Sequence, residues 1–349
     1  MALIVLADDG IEFDGDSPRN GPLGGVESSI VNLVEEFVRL GHKVSVRNMC
    51  REARVIAGVD WAPLFLDKKY NIPKKADLYI ANRGDKLIDL MPEASRTVFW
   101  IHNPAQYLLK WRYLSKLWRL KPAIIFIGDY HATTYPSWAP GGDRIVIPYG
   151  ISDEFCRYSP RKDPPRRRAI FTSNPLRSLD WLLQIWVDRI FPQAPDAELH
   201  LFSGSLTYGK TGAEKKLQMQ VILDKARAFE EQGVVVRGPV SKPKLIQEFR
   251  EARVMLYRGD LNETFCLAVG EAQASGVPAV VQELGSVVER VVNGETGAIV
   301  KTDLEFIQSA IELLNNDDVW RRQHNTALAK QGVWNWDKTA RAFEELITK

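Results

Sequence analysis

The sequence predicts an α/β protein made of two Rossmann-like, doubly wound domains, and three observations carry that expectation. At about 150 residues per domain, the 349 residues suit two domains. Short apolar strand candidates alternate with helical stretches up to Gly150, and a second such series begins after residue 168. Between them lies RYSPRKDPPRRR, residues 157–168, with three prolines and six basic residues. Proline removes backbone donors and like charges repel, so this stretch reads as a solvated linker. We expect an N-terminal domain over 1–150 and a C-terminal domain over 151–336. The last helix, about 337–349, should pack back on the first domain.

Taken in order, residues 2–7 read as a buried strand, followed by a loop rich in Asp, Gly and Pro. After Gly24 and Gly25, Ile30, Leu33, Val34 and Phe37 space one apolar helix face over about Glu27 to Leu40. Gly41 stops that helix and Lys43 to Val46 restarts a strand, which completes a βαβ unit. Further strands are expected at 78–81, 97–101, 124–127 and 145–147. The second series should hold strands at 169–172, 199–202, 234–237, 254–256, 279–281 and 298–300. Two such domains facing each other would leave a cleft at the carboxyl ends of both sheets.

Composition narrows the function. The net charge of +2 does not suit a polycation that coats nucleic acid, and no nucleic-acid partner is expected. Cys50, Cys156 and Cys266 are odd in number and lack metal-ligand spacing, which favours a reducing compartment over a disulfide or zinc framework. The start, MALIVLADDG, has no basic n-region, and AIIFI at 123–127 is too short to span a bilayer. A cytoplasmic protein, or one peripheral at the cytoplasmic face of a membrane, is expected.

The most informative segment is NETFCLAVGEAQASGVPAVV, residues 262–281. Thr264 suits an N-cap, Phe265 to Ser275 suits a helix, Gly276 ends it and Pro278 forbids a restart. A helix N-terminus offers free N–H groups and a positive dipole end to a phosphate or to sugar hydroxyls. Glu263 just before it and Glu271 two turns along could each hold hydroxyls of one elongated ligand. Composition alone would make both carboxylates solvated helix charges.

The Glu-x7-Glu spacing within ETFCLAVGEAQASGVP resembles the donor site of retaining glycosyltransferases of family 4, which have the GT-B fold. GGVESSIVNLVEEFVRLGHKVSV, FWIHNP, IVIPYGISDEF, VVVRGPVSKPKL, NGETGAIV and Trp336 also match that family in order. The resemblance implies that Glu271 holds the donor ribose and Glu263 the transferred sugar. It implies that backbone amides of Thr264, Phe265, Cys266 and Leu267 touch the diphosphate or sugar. Arg177 stands where the family has a lysine that neutralises the leaving diphosphate. Gly24 and Gly25 would admit the donor phosphate, Gly238 and Val240 would lie beside the base, and His102 would face the sugar. The implied enzyme is a hexosyltransferase-type glycosyltransferase of carbohydrate biosynthesis. Its donor would be a UDP-sugar, with a GDP-sugar second, and its acceptor a sugar, a lipid-linked or another small molecule. It would work by front-face attack and need neither metal nor cofactor.

The chain departs from that pattern in reading Phe171-Thr172-Ser173-Asn174 where the family has Gly-Arg, and Ser178 where it has Gly. Lys210 or Lys242 could supply the missing cation. GSLTYGKT, residues 204–211, matches a P-loop and would make the chain a phosphotransferase with Lys210 on ATP phosphates and Thr211 on magnesium. Other rivals are a sugar-nucleotide epimerase or phosphorylase of the same fold, and a non-catalytic nucleotide-sugar-binding protein. Asp14-Gly15-Asp16 could mimic an Asp-x-Asp metal motif but reads better as a turn. His131 could line the acceptor cleft, whereas His42 reads as a packing residue.

Residues 107–121 carry Arg112, Lys116 and Arg119 on one helical face and Tyr107, Trp111, Leu114 and Trp118 on another. This pattern suits peripheral contact with a membrane or docking of an anionic acceptor. The plainer alternative is a solvated basic face over an aromatic core contact.

Overall fold

A computed structural model describes residues 1–204, 214–330 and 335–347. Within these, residues 1–20, 25–150 and 335–347 form one compact unit, and residues 21–24, 151–204 and 214–330 form a second.

The first unit is built on strands β1 (Leu3–Asp8), β2 (Lys43–Asn48), β3 (Arg54–Ile56), β4 (Val59–Pro63), β7 (Leu78–Asn82), β8 (Arg96–Trp100), β9 (Ala123–Phe126) and β10 (Arg144–Val146). A separate hairpin pairs β5 (Phe65–Leu66) with β6 (Lys69–Tyr70). The large sheet has the order β10-β9-β8-β7-β1-β2-β4-β3, parallel throughout except for the β3–β4 hairpin. Its central strands are continuous apolar runs because both faces are covered. On one face Val5, Phe99, Ile124 and Phe126 meet Leu117 of the helix Trp111–Leu120. On the other lies the helix Gly25–Arg39, where Phe37 meets Phe343 of the helix Trp336–Glu344 edge to face at 6.2 Å. Asn335 caps that last helix by accepting from the Lys338 N–H at 2.9 Å.

The second unit holds β11 (Arg168–Phe171), β12 (Glu198–Leu201), β13 (Val234–Val236), β14 (Val254–Tyr257), β15 (Ala279–Gln282) and β16 (Gly297–Val300). Every pair is parallel, in the order β13-β12-β11-β14-β15-β16. Counted from β11 this is the 3-2-1-4-5-6 order of a dinucleotide-binding sheet, with its reversal between β11 and β14.

The two hairpins between Arg54 and Tyr70 were not anticipated from the sequence. Ala57 and Gly58 take φ of 49° and 81° in the two-residue turn between β3 and β4, as Asp67 and Lys68 do at 49° and 63° between β5 and β6. The helix expected over Phe265–Ser275 instead spans Leu267–Ala274. Its N-cap is Cys266 rather than Thr264, with φ 64° and no side-chain cap, because Thr264 and Phe265 are drawn into buried positions ahead of it. Gly276, at φ 77°, ends it as expected.

The 157–168 stretch is not a free linker. The Arg161 N–H donates to His324 Nε2 at 3.1 Å, its guanidinium to the Arg250 carbonyl at 2.6 Å, and Arg321 donates to the Lys162 carbonyl at 2.9 Å. Its polar groups find helix partners in the second unit, and Arg168 already belongs to β11. Tyr107 lies in the 3-10 turn Ala105–Leu109, outside the helix Trp111–Leu120, and Trp111 and Trp118 are exposed. Trp111 and Trp118 are therefore not core residues, whereas Tyr107 packs, partly buried, against the core. Tyr113 and Leu117, four residues apart, hold the helix on the core instead.

Candidate functional site

In open parallel sheets, ligands bind beyond the carboxyl ends of the strands where the strand order reverses. In the second unit the loops after β11 and β14 flank that point, and they carry Arg177 and Glu263. An Arg177 guanidinium nitrogen, Nη1, donates to Glu263 Oε2, and the Tyr257 hydroxyl at the end of β14 donates to the same oxygen at 2.7 Å. Tyr257 is fully buried, whereas the Arg177 side chain keeps 31% of its surface exposed. Burial works against the Arg177 charge, but the Glu263 carboxylate and Tyr257 hold its pKa above the ordinary arginine value. Burial, then the Glu263 charge, pushes the Tyr257 phenol well above 10, so it stays a donor at neutral pH. Ser178 takes φ 61°, a left-handed conformation that explains why glycine suits this position.

Glu271 lies buried on the helix Leu267–Ala274. It accepts from Nζ of Lys242, the first residue of the helix Lys242–Arg250. That helix follows the turn with Gly238 and Val240. Gly238 has φ 73° and open space where a Cβ would stand. Of the two candidate replacement cations, Lys242 thus meets Glu271, while Lys210, with all of the P-loop match except Gly204, lies outside the described residues. Thr264, Phe265 and Cys266 are buried, and Leu267 opens the helix. The Arg290 guanidinium lies 4.1 Å from the centre of the Phe265 ring. Burial, then the Glu263 charge, raises the Cys266 thiol well above its ordinary pKa, which leaves it protonated and no nucleophile.

The corresponding reversal in the first sheet lies between β1 and β7, and a buried polar network marks it. Asn82 donates to Asp8 at 2.6 Å, and Arg83 donates to Asp8 at 2.8 Å and to Glu27 at 2.8 Å. His102 donates from Nε2 to Asn82 Oδ1 at 2.5 Å and accepts the Tyr149 hydroxyl at Nδ1, a tautomer assigned from the network. Burial, then the charges of Arg83 and His131, lowers its pKa well below 6.5, so the ring is neutral. Both ring nitrogens of His102 are thus engaged within the first unit. Gly25 is the first residue of the helix Gly25–Arg39, directly after Gly24.

His131 does not line a cleft. It is fully buried, accepts the Ile127 N–H at 3.2 Å and donates to the Asn103 carbonyl at 2.8 Å. His42 packs as expected, accepting the Ala2 N–H at 3.2 Å and lying 3.1 Å from Glu344. Asp14 Oδ1 accepts from the Asp16 and Ser17 N–H groups at 3.0 and 3.1 Å, so the acidic pair there closes a turn. Among the described residues no group of three or more His, Cys, Asp or Glu side chains could hold a metal ion, and no helix is long and apolar enough to cross a membrane.

Sequence reasoning missed Tyr257, Arg290 and the Asp8–Glu27–Asn82–Arg83 network. A signal for the network was present: β1 and β7 are apolar runs that each end on a buried polar residue, Asp8 and Asn82.

Two doubly wound parallel-sheet units make this a protein of the GT-B fold. Residues 167–316 match the family described as "Glycosyl transferases group 1". D-inositol 3-phosphate glycosyltransferase of Corynebacterium diphtheriae is 27% identical over 162 residues, which is 46% of this chain and 37% of that protein. The chain thus matches little more than a third of that relative's length. The solved structure of sucrose-phosphate synthase from Thermosynechococcus elongatus is similar over 100% of this chain and 98% of that one, with a TM-score of 0.74 at 15% identity. HepE from Anabaena, solved in complex with UDP-glucose, is similar over the whole of both chains, with a TM-score of 0.71 at 13% identity. The family match and the named relative support a transferase enzyme.

Proposed function

We propose that this chain is a retaining glycosyltransferase of family 4 that moves a sugar from a nucleoside diphosphate-sugar to an acceptor hydroxyl without a metal ion. The observation that carries the reading is the meeting of Arg177, Glu263 and Tyr257 at the strand-order reversal of the second sheet. Departure of a nucleoside diphosphate builds negative charge, and a cation already in place lowers that barrier. In this reading Arg177 turns toward the diphosphate while Glu263 takes hydroxyls of the transferred sugar. Glu271 takes the ribose hydroxyls and Lys242 supplies the second cation. The amides of Thr264 to Leu267 face the diphosphate or sugar, and Gly238 and Val240 lie beside the base. Gly24 and Gly25 contact the donor phosphate, and His102 exchanges one of its present partners for a sugar hydroxyl.

The bond between the anomeric carbon and the phosphate oxygen breaks, the acceptor oxygen bonds on the same face, and the acceptor proton passes to the leaving phosphate. The donor is a UDP-sugar, with a GDP-sugar as second choice; HepE, a structural neighbour, was solved with UDP-glucose. The acceptor is a sugar, a lipid-linked or another small molecule, and residues 107–121 contact a membrane peripherally from the cytoplasmic side.

The test is diphosphate release from a panel of UDP- and GDP-sugars in the presence of EDTA, with the anomeric configuration of the product read by NMR. Release that survives EDTA, falls in Arg177→Met and yields the donor's own anomeric configuration supports the reading. An inverted product or an absolute need for a divalent cation contradicts it.

A further inference from the structure

We infer that the first unit docks on an anionic lipid bilayer through a surface made of two separate elements, the helix Trp111–Leu120 and the hairpin of β5 and β6. The inference widens the peripheral contact proposed for 107–121 and does not depend on the transferase reading, because membrane binding is measured without turnover.

Three observations support it. First, Trp111 and Trp118 stand seven residues apart on one helix face and are 74% and 69% exposed. Indole rings so placed favour the bilayer interface, where an apolar body and a polar N–H are both satisfied. Second, the hairpin stands apart from the large sheet, and its side chains are held out from the core. Phe65 pairs with Tyr70 across it, ring centres 4.8 Å apart, and Phe65, Leu66 and Tyr70 are 40%, 54% and 41% exposed. Strands of two residues cannot hold such a hairpin for their own stability. Its base is fastened by the Asn71 side chain, which donates to the Pro63 carbonyl at 2.9 Å.

Third, the two elements share one electrostatic neighbourhood. Asp89 lies 2.7 Å from Lys116 and 3.5 Å from Arg119, and Asp85 lies 3.5 Å from Arg112. Leu64 and Ile72, on either side of the hairpin, pack in the same core cluster as Tyr113 and Leu117 of the helix, and after burial and Asp9 the same two carboxylates raise the pKa of the Tyr70 phenol. Their pairing leaves exposed Lys68, Lys69, Lys110 and Lys121 without an ion pair among the described residues. Protein–protein interfaces are depleted in lysine, whereas anionic lipid attracts it. That charge pattern favours a bilayer over a protein partner.

The experiment is sedimentation of the full chain with vesicles of phosphatidylcholine alone and of equal parts phosphatidylcholine and phosphatidylglycerol, beside a control without lipid. We expect pelleting with the mixed vesicles only, reversed by salt. Lys68→Gln and Lys69→Gln should each weaken binding about fivefold. Phe65→Ser combined with Leu66→Ser, and Trp111→Ser combined with Trp118→Ser, should each weaken it further. All these side chains are exposed, and unchanged circular dichroism would show that the variants fold. Failure to pellet with mixed vesicles, equal binding to both lipids, or pelleting without lipid would overturn the proposal. Wild-type binding by the hairpin variants would overturn its two-element form.

Discussion

Arg177 and Glu263, 86 residues apart in the chain, meet through a charge-assisted hydrogen bond beside the buried hydroxyl of Tyr257. Each follows one of the two neighbouring strands between which the order of the second sheet reverses. A cation and a carboxylate are thereby held where the sheet presents its strand ends, and neither is fully enclosed. The first prediction tests this pair. Arg177→Met should reduce diphosphate release from the donor by about 100-fold or more, the scale of removing one preorganised charge stabiliser. Arg177→Lys, which keeps the charge and loses the fork, should recover part of it. Unchanged turnover in Arg177→Met would remove Arg177 from the proposed chemistry.

Glu271→Ala should weaken binding of UDP by about 10- to 100-fold, the worth of hydrogen bonds to a charged group. Lys242, left without its carboxylate partner, would remain beside the nucleotide. Calorimetric titration of both proteins measures the difference, and equal affinities would contradict the ribose role.

Gly238→Ala isolates backbone conformation, because a Cβ at this position meets nothing within 4 Å. The φ of 73° alone should cost about 1–2 kcal/mol. Denaturant unfolding would show it, and an unchanged midpoint would mean that the turn relaxes.

Stability should fall as pH drops below about 6.5. Burial lowers the His131 pKa from 6.5 to about 4, with its hydrogen bond to Asn103 opposing. Between those values the unfolded chain binds a proton that the folded one refuses, so stability is lost as pH falls, by about 3 kcal/mol once His131 protonates. His102, His200 and His324 shift in the same direction, each chiefly through burial. Denaturation at pH 7 and pH 5 checks the trend, and His131→Gln should flatten it. Equal stability at both pH values would contradict it.

Much of the fold was legible because parallel strands buried on both faces leave continuous apolar runs, as in Leu3–Asp8 and Val254–Tyr257. The turns were less so. Asp67 and Lys68 carry no glycine, so their left-handed conformations, and with them the second hairpin, left no mark. Cys266 likewise gave no sign of the left-handed conformation that delays the helix to Leu267. Glu263, Glu271 and Arg177 could be singled out because local spacing and resemblance both point to them. Their partners Tyr257 and Lys242 could not be paired with them, since only the fold brings those strand and helix ends together. Periodicity also left the burial of Trp111 and Trp118 open, because an aromatic stripe has the same spacing whether it faces a core or the solvent.

The most direct test of the central claim is calorimetric titration of the protein with UDP, GDP, ADP and ATP, each with EDTA and with magnesium. The account expects tight, magnesium-independent binding of one nucleoside diphosphate, UDP first, weakened in Glu271→Ala and indifferent to Lys210→Ala. Magnesium-dependent ATP binding that is abolished by Lys210→Ala and unmoved by Glu271→Ala would contradict it and make the P-loop match the true nucleotide site.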